Sequence, residues 1–148
     1  MSEGYLLDTS VLSVLAPGKT TPDAALAAWL RLNSDKLYIS AITVAEVEQG
    51  ICKLRRAGGD ERAERLTQWL DTLIAQGATR ILALDAQVGR TAGALSDQAV
   101  SIGRHPGFAD VAIAATAKVH GLAVLTRNGR HFEPLGVRIV DPLDRLPR

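Results

Sequence analysis

Residues 5–8 read Tyr5-Leu6-Leu7-Asp8, a short apolar run that stops at an acidic residue. A short continuous apolar run bounded by a polar residue predicts a buried β-strand. The pattern returns at four later places, listed here with the residue that ends each run: Leu37-Tyr38-Ile39 before Ser40, Ile81-Leu82-Ala83-Leu84 before Asp85, Leu122-Ala123-Val124-Leu125 before Thr126, and Val137-Arg138-Ile139-Val140 before Asp141-Pro142. The sequence therefore predicts five short strands.

Segments of helical periodicity separate these strands. The clearest has apolar residues at i, i+3, i+4, i+7 and i+8, namely Leu66, Trp69, Leu70, Leu73 and Ile74. Further helices are predicted around 26–30, 43–56, 88–99 and 111–119. The helices over 43–56 and 61–75 flank Ala57-Gly58-Gly59-Asp60 and predict a helical hairpin. Strands that alternate with helices indicate a single α/β domain, an α/β/α sandwich with a five-stranded, mainly parallel sheet.

The composition fits one domain over residues 1–148, since 47% hydrophobic residues in 148 can build a single core. The formal net charge of +1 excludes a protein with a global basic field. Cys52, the one cysteine, cannot form an internal disulfide and is expected to serve as a small apolar side chain. No signal peptide or bilayer-spanning run is visible, so we expect a soluble, cytoplasmic protein.

Four residues with hard oxygen donors stand where an apolar run stops or a helix begins: Asp8, Glu46, Asp110 and Asn128. In an open α/β sheet, the carboxyl ends of the strands gather along one edge, so residues remote in sequence can meet there. Divalent cations such as Mg²⁺ and Mn²⁺ prefer oxygen ligands, lower the pKa of a water molecule and stabilise charge on a phosphodiester. The pattern predicts a metal-dependent nuclease. In it, the uncharged side chain of Asn128 orients a water molecule or a second, more weakly bound metal ion.

Each acidic residue also has an ordinary structural explanation. Thr43-Val44-Ala45-Glu46 matches a capping box of the threonine-x-x-glutamate type. Asp110 could be an N-cap or first-turn residue, and Asp8 could cap the segment that begins near Ser10. Capping is the commoner use of an acid at a helix start, so the nuclease interpretation depends on the combination.

Four segments carry a family resemblance in their order and context: Leu7-Asp8-Thr9-Ser10-Val11, Ile39-Ser40-Ala41-Ile42-Thr43-Val44-Ala45-Glu46, Ala109-Asp110-Val111-Ala112-Ile113-Ala114-Ala115-Thr116-Ala117 and Leu125-Thr126-Arg127-Asn128. Together they resemble the PIN domain, and more narrowly the VapC and FitB toxins of VapBC-type toxin–antitoxin modules. The resemblance covers essentially the whole chain, up to Val140-Asp141-Pro142, and implies a five-stranded parallel sheet.

The resemblance implies a Mg²⁺- or Mn²⁺-dependent endoribonuclease, with Asp8, Glu46 and Asp110 as the acidic metal-site residues. Asn128 takes the fourth position, where many members of the family have aspartate and many others asparagine. Three hydroxyl residues match positions that orient the acidic cluster or the attacking water, namely Thr9, Ser10 and Thr126; each could equally be a cap or turn residue.

The resemblance also implies partners: an RNA substrate, a second copy of the chain whose acidic site faces a shared groove, and a small VapB-like antitoxin that inserts a segment near the site. Trp29 and Trp69 could help form such surfaces, although core packing is the simpler account. No membrane partner is expected.

Local cations are the candidates for contact with RNA phosphates, because the total charge is near zero. Those that adjoin the predicted site are Arg104, His105, Arg127, Arg130 and His131, whereas Lys53, Arg55 and Arg56 predict a solvated surface. Catalysis by His105 or His131 is not required, because a metal-dependent hydrolysis needs no histidine base.

Three other protein classes share part of this pattern. A phosphatase of the haloacid dehalogenase type needs a second aspartate two residues after the first, and Ser10 stands there. A phosphate-accepting receiver domain needs paired acids after the first strand and a lysine after the last, and neither is in the right place. A non-catalytic PIN-like module that binds RNA or a protein stays open as an alternative. An alanine variant of one acid that kept full biological effect would favour it.

Overall fold

The strands and helices alternate along the chain of the computed structural model, which describes residues 4–18, 23–77, 80–142, 144 and 146–147. Within these ranges the strands are β1 (Tyr5–Leu7), β2 (Leu37–Ser40), β3 (Ile81–Leu82), β4 (Ala123–Leu125) and β5 (Ile139–Val140). The helices are α1 (Thr9–Leu12), α2 (Ala24–Leu32), α3 (Ala41–Arg56), α4 (Asp60–Gly77), α5 (Ala86–Ser101), α6 (Phe108–His120) and α7 (Gly129–Phe132).

The sheet has β1 at its centre and the strand order β3-β2-β1-β4-β5. All four strand pairs are parallel, with Tyr5 opposite Leu37 on one side and Ala123 on the other. The chain adds β2 and β3 on one side of β1 and then crosses to add β4 on the other side. The switch point of this topology lies between β1 and β4, which is where open α/β sheets bind ligands.

Alternate side chains of the central strands pack into different layers. Leu6 and Val124 pack against α5 and α6 in one apolar cluster, whereas Leu7 and Leu125 pack with residues of α1 and α2 in the other. This alternation follows from the strand period of two residues. It confirms the predicted sandwich, with helices on both faces of a parallel sheet.

The predicted helical hairpin is confirmed in α3 and α4. Its turn contains Gly58 at φ +90°, a left-handed conformation that glycine adopts without a steric penalty. The two helices share a small core of Ile51, Ala63 and Leu70.

Several predicted details are wrong. β3 is shorter than the predicted 81–84, because Leu84 is exposed and Asp85 caps α5 by accepting a hydrogen bond from the Val88 amide. β5 contains only the second half of the predicted 137–140. Cys52 lies on the exposed face of α3, so its thiol is not part of a core.

Among the described helices, none is both long enough and apolar enough to cross a membrane.

Candidate active site

The ends of β1 and β4 bring Asp8 and Thr126 together. Leu7 pairs with Leu125, and the amide of Asp8 donates to the carbonyl oxygen of Leu125 at 3.0 Å. Each residue is the first after its strand, so both point out of the carboxyl edge of the sheet at the switch point. Two residues that lie 118 positions apart in the chain thus become neighbours.

Asp8 is only 7% exposed, and its carboxylate accepts three hydrogen bonds from the described residues. Its Oδ1 accepts from the Thr9 amide at 2.9 Å. Its Oδ2 accepts from Ser10 Oγ at 3.1 Å and from Thr126 Oγ1 at 2.8 Å. A buried ionised carboxylate needs such donors to offset its desolvation. Asp8 therefore caps α1, as its structural alternative predicted, and is held in one orientation by three donors.

Glu46 is not a cap, so the capping-box interpretation is wrong. α3 begins at Ala41, and its N-cap is Ser40, whose hydroxyl accepts from the Ile42 amide. Glu46 lies in the second turn of α3, and its Oε1 accepts a hydrogen bond of 2.7 Å from Thr9 Oγ1. Since the amide of Thr9 bonds to Asp8, Thr9 links the two carboxylates.

Asp110 lies in the first turn of α6, whose N-cap is Gly107. Burial raises the pKa of its carboxyl group, the neighbouring His131 lowers it, and the charge of Asp8 raises it, with a net increase. His131 Nδ1 lies 3.4 Å from Asp110 Oδ2. Asp110 is therefore a partly buried acid between a second carboxylate and a histidine.

Asn128 is connected to the hydrogen-bond network of Asp8 through its backbone amide. It occupies the N-cap position of α7, but its side chain makes no capping hydrogen bond and is exposed. Its amide donates to Thr126 Oγ1 at 3.0 Å, so the Thr126 hydroxyl connects Asn128 to Asp8. The predicted turn at Asn128-Gly129 is a one-turn helix. A catalytic role for the Asn128 side chain stays a prediction.

The acidic side chains are linked but not tightly clustered. In the part of the chain that the structure describes, no three His, Cys, Asp or Glu side chains lie close enough to hold a metal ion directly. Glu46 reaches Asp8 through Thr9, and one Asp110 oxygen contacts His131. The donor set is made of hard oxygens, and Mg²⁺ usually binds through one or two carboxylates while keeping several waters. The arrangement fits a hydrated Mg²⁺ or Mn²⁺ ion.

Two surfaces adjoin the acidic residues. On one side, Arg104, His105, Arg130 and His131 line a recess that also includes Asp110. The second surface is an apolar groove between α3 and α4, which is lined by Thr9 and Glu46 and by the apolar residues Val47, Leu54, Leu66 and Trp69. Partial exposure of these apolar residues cannot be read from a helical pattern, which is why sequence reasoning singled out only Trp69 among them.

The remaining candidates have structural partners or lie at the surface. Trp29 stacks edge-on against Tyr5 at a centroid distance of 5.6 Å and donates to the Pro147 carbonyl oxygen, which agrees with core packing. Arg127 forms an ion pair of 3.5 Å with Asp23. Lys53, Arg55 and Arg56 are exposed at the end of α3, as predicted for a solvated surface.

Comparison with known proteins gives consistent matches over nearly the full length. A family described as PIN domain matches residues 5–136. VapC ribonuclease Y4jK of Sinorhizobium fredii is 37% identical over 138 residues, which cover 93% of this chain and 96% of that protein. Toxin FitB of Neisseria gonorrhoeae is 37% identical over 141 residues, with coverage of 93% and 96%. The crystal structure of FitAcB from Neisseria gonorrhoeae superposes with a TM-score of 0.80 at 34% identity, covering 94% of this chain and 98% of the other.

Proposed function

This chain belongs to the PIN-domain family, and on that premise we propose that it is a toxin of a toxin–antitoxin module that hydrolyses RNA at a Mg²⁺ or Mn²⁺ site. The observation that carries the proposal is the hydrogen-bonded network in which Thr9 and Thr126 hold Asp8 beside Glu46 and Asp110. The relatives named as a ribonuclease and as a toxin support the same activity.

In this proposal, Asp8 and Asp110 hold the cation, and Glu46 completes the acidic pocket. When bound, the cation supplies positive charge that activates water and stabilises the developing charge on the phosphodiester. The raised pKa of Asp110 agrees with this role: burial is the main cause of the increase, and the like charge of Asp8, which a cation would neutralise, adds to it.

The hydrogen bonds of Asp8 indicate which of its oxygens is available. A carboxylate oxygen offers about two lone pairs. Among the described residues, Oδ2 accepts from both Ser10 and Thr126, whereas Oδ1 accepts only from the Thr9 amide. We therefore assign the remaining lone pair of Oδ1 to the cation.

Glu46 is suited to orient the attacking water. Thr9 donates to its Oε1 at 2.7 Å, which leaves Oε2 without a partner among the described residues. An oxygen held in this way beside the acidic pocket can accept a hydrogen bond from water. Asn128, at the N-cap position of α7, would help to orient this water through the carbonyl oxygen of its side chain.

The partners follow from the same proposal. We expect a homodimer and an antitoxin that binds in the groove between α3 and α4, a cavity of about 560 Å³ with a mainly apolar lining. Thr9 and Glu46 line the groove, so a segment bound there would reach the acidic site. An antitoxin in this position would exclude RNA while it shields exposed apolar surface.

The test is cleavage of a mixed cellular RNA pool by purified, antitoxin-free protein with Mg²⁺, Mn²⁺ or EDTA. We expect cuts that need a divalent cation and that fall at least about 100-fold in Asp8→Asn, which keeps the shape of the side chain and removes its charge. Asp71→Asn is the matched control, because Asp71 is exposed on α4.

Three results would contradict the proposal. They are cleavage that persists in EDTA, equal loss in the Asp71 control, and absence of cleavage by folded protein with either cation. The last result, combined with binding of RNA, would support a non-catalytic PIN-like module instead.

A further inference from the structure

A recess of about 380 Å³ opens beside Asp110. Its walls come from two elements that are separate in the chain. Arg104 and His105 belong to the loop that joins α5 to α6, and Arg130 and His131 belong to α7. The recess therefore collects four nitrogen-bearing side chains next to the proposed cleavage site.

The charges in this recess are unbalanced. Arg104 and Arg130 are positively charged at any physiological pH, and Asp110 is the only acid among the described residues that line the recess. Among the described residues, neither arginine forms an ion pair, and the acid that faces them is already in contact with His131.

A second surface that contains arginines has a different balance of charge. The depression between α3 and α4 that contains Arg55 and Arg65 is lined by three acids, Asp60, Glu61 and Glu64. Its arginines are thus surrounded by opposite charge, as is usual for a solvated helix face. The recess beside Asp110 has two arginines for one acid, so it favours an anion.

The backbone adds to this preference. α6 begins at the recess with Gly107 as its N-cap, and a glycine has no side chain with which to cap the first amides. The first N–H groups of a helix carry partial positive charge and can donate hydrogen bonds to anionic ligands. The 13 residues of α6 make this helix long enough for the effect.

We propose that the Arg104–Arg130 recess binds a phosphate of the RNA strand next to the linkage that is cleaved. This inference rests on the proposed function, because Asp110 lines both the recess and the acidic site. A cavity of this size is at the lower end of ligand pockets and suits one nucleotide rather than a duplex. The recess would thus position a single strand with its neighbouring linkage over Asp8 and Asp110.

The first experiment measures the effect on binding. Asp8→Asn protein in EDTA is titrated into a fluorescein-labelled, mixed-sequence 12-nucleotide RNA, and anisotropy is followed at several salt concentrations. We expect the added Arg104→Gln/Arg130→Gln pair to weaken binding about 3- to 10-fold and to lower the salt slope by about 0.7, the value for one phosphate contact on a single strand. Arg55→Gln/Arg56→Gln is the control, since both residues are exposed cations at the far end of α3.

The second experiment identifies the phosphate. A 2′-O-methyl oligonucleotide that carries the mapped cleavage sequence receives one uncharged methylphosphonate linkage, placed on either side of the cleaved linkage in turn. At one position, the neutral linkage should weaken binding by the Asp8→Asn protein but have little further effect on the protein that also lacks Arg104 and Arg130. This non-additivity is the signature of a direct contact.

The two proposals fail in different ways. If the arginine pair can be replaced without change in affinity or salt slope, the recess is an ordinary solvated surface and this inference is wrong, whether or not the wild-type protein cuts RNA. If the wild-type protein fails to cut RNA but the arginine effects on binding are found, the proposed activity is wrong, and of this inference only the binding of an RNA phosphate stands. In active protein, Arg104→Gln/Arg130→Gln should raise KM with kcat within about 2-fold, because neither arginine touches the reacting atoms.

Discussion

Thr126→Val is the substitution that tests the described site most directly. Thr126 is fully buried, and its hydroxyl donates to Asp8 Oδ2 at 2.8 Å and accepts from the Asn128 amide at 3.0 Å. Valine has nearly the same shape, so the change removes both hydrogen bonds without creating a cavity. Asp8 then keeps only the donors from Thr9 and Ser10.

The expected loss of stability is about 2–3 kcal/mol. A hydrogen bond to a charged acceptor contributes about 1.5–3 kcal/mol. The second bond adds less, because Asn128 is exposed and water can replace the hydroxyl at its amide. For a chain of 148 residues, this corresponds to a fall in Tm of roughly 6–12 °C.

Activity should fall as well, because Thr126 fixes the orientation of Asp8. Replacement of a residue that supports a metal ligand typically costs about 10- to 100-fold in activity or metal affinity. We expect a decrease in kcat of this size with Mn²⁺ and a higher Mn²⁺ concentration at half-maximal rate. Thr126→Ser, which restores the hydroxyl, should recover most of the activity.

The assay is thermal and urea unfolding followed by circular dichroism, with Thr43→Val as the matched control. Thr43 is another fully buried threonine, but its hydroxyl has no hydrogen-bond partner among the described residues. Replacing an unsatisfied hydroxyl by a methyl group should leave stability unchanged or raise it by about 1 kcal/mol.

Two results would refute the reasoning. If Thr126→Val unfolds like the wild type and cleaves RNA at the same rate, its hydroxyl does not hold Asp8. If Thr43→Val loses as much stability as Thr126→Val, replacing any buried threonine by valine has this cost, and the hydrogen bonds of Thr126 do not explain it.

Three further predictions concern the acidic site and the groove. Because burial raises the pKa of Asp110, the folded state binds this proton more tightly than the unfolded state does, so the ionised group destabilises the metal-free fold at neutral pH. Asp110→Asn should therefore melt roughly 2 °C or more above the wild type at pH 7 in EDTA, with a difference that shrinks as acid protonates the wild-type carboxylate; an unchanged or lower Tm would contradict this. Asn128→Ala should lower kcat by about 10-fold or less, far less than Asp8→Asn, because its side chain is uncharged and exposed; an equal loss in a cleavage assay would make Asn128 essential. Trp69→Ala should weaken antitoxin binding about 10-fold or more in calorimetry, whereas Leu32→Ala, at an exposed apolar residue outside the groove, should not; equal effects would remove the groove from the interface.

Prediction from the sequence succeeded where local patterns are strong. All five strands and the five longer helices of the described chain lie where apolar runs and helical periods predicted them. Boundaries were less accurate, since β3 and β5 are shorter than their apolar runs. Both are edge strands, and each pairs with its one neighbour over two residues. The predicted capping box at Thr43 is wrong because the helix starts earlier: Ser40, three residues before Thr43, is the N-cap of α3.

The sequence by itself determined the α/β class and placed an acid or a hydroxyl at the carboxyl ends of β1, β2 and β4, because apolar runs and polar stops are local properties of the chain. Which of the site residues contact one another was decided only by the tertiary structure. Thr126 reaches Asp8 because β4 crosses to the side of β1 opposite β2, and Thr9 reaches Glu46 because α3 packs beside α1. Strand order and helix packing arise from contacts between distant parts of the chain, where loop closure and shared burial select one arrangement. The short α7, which brings His131 to Asp110 and Arg130 into the recess, has no apolar period of its own and is placed by its contacts with α6 and β5.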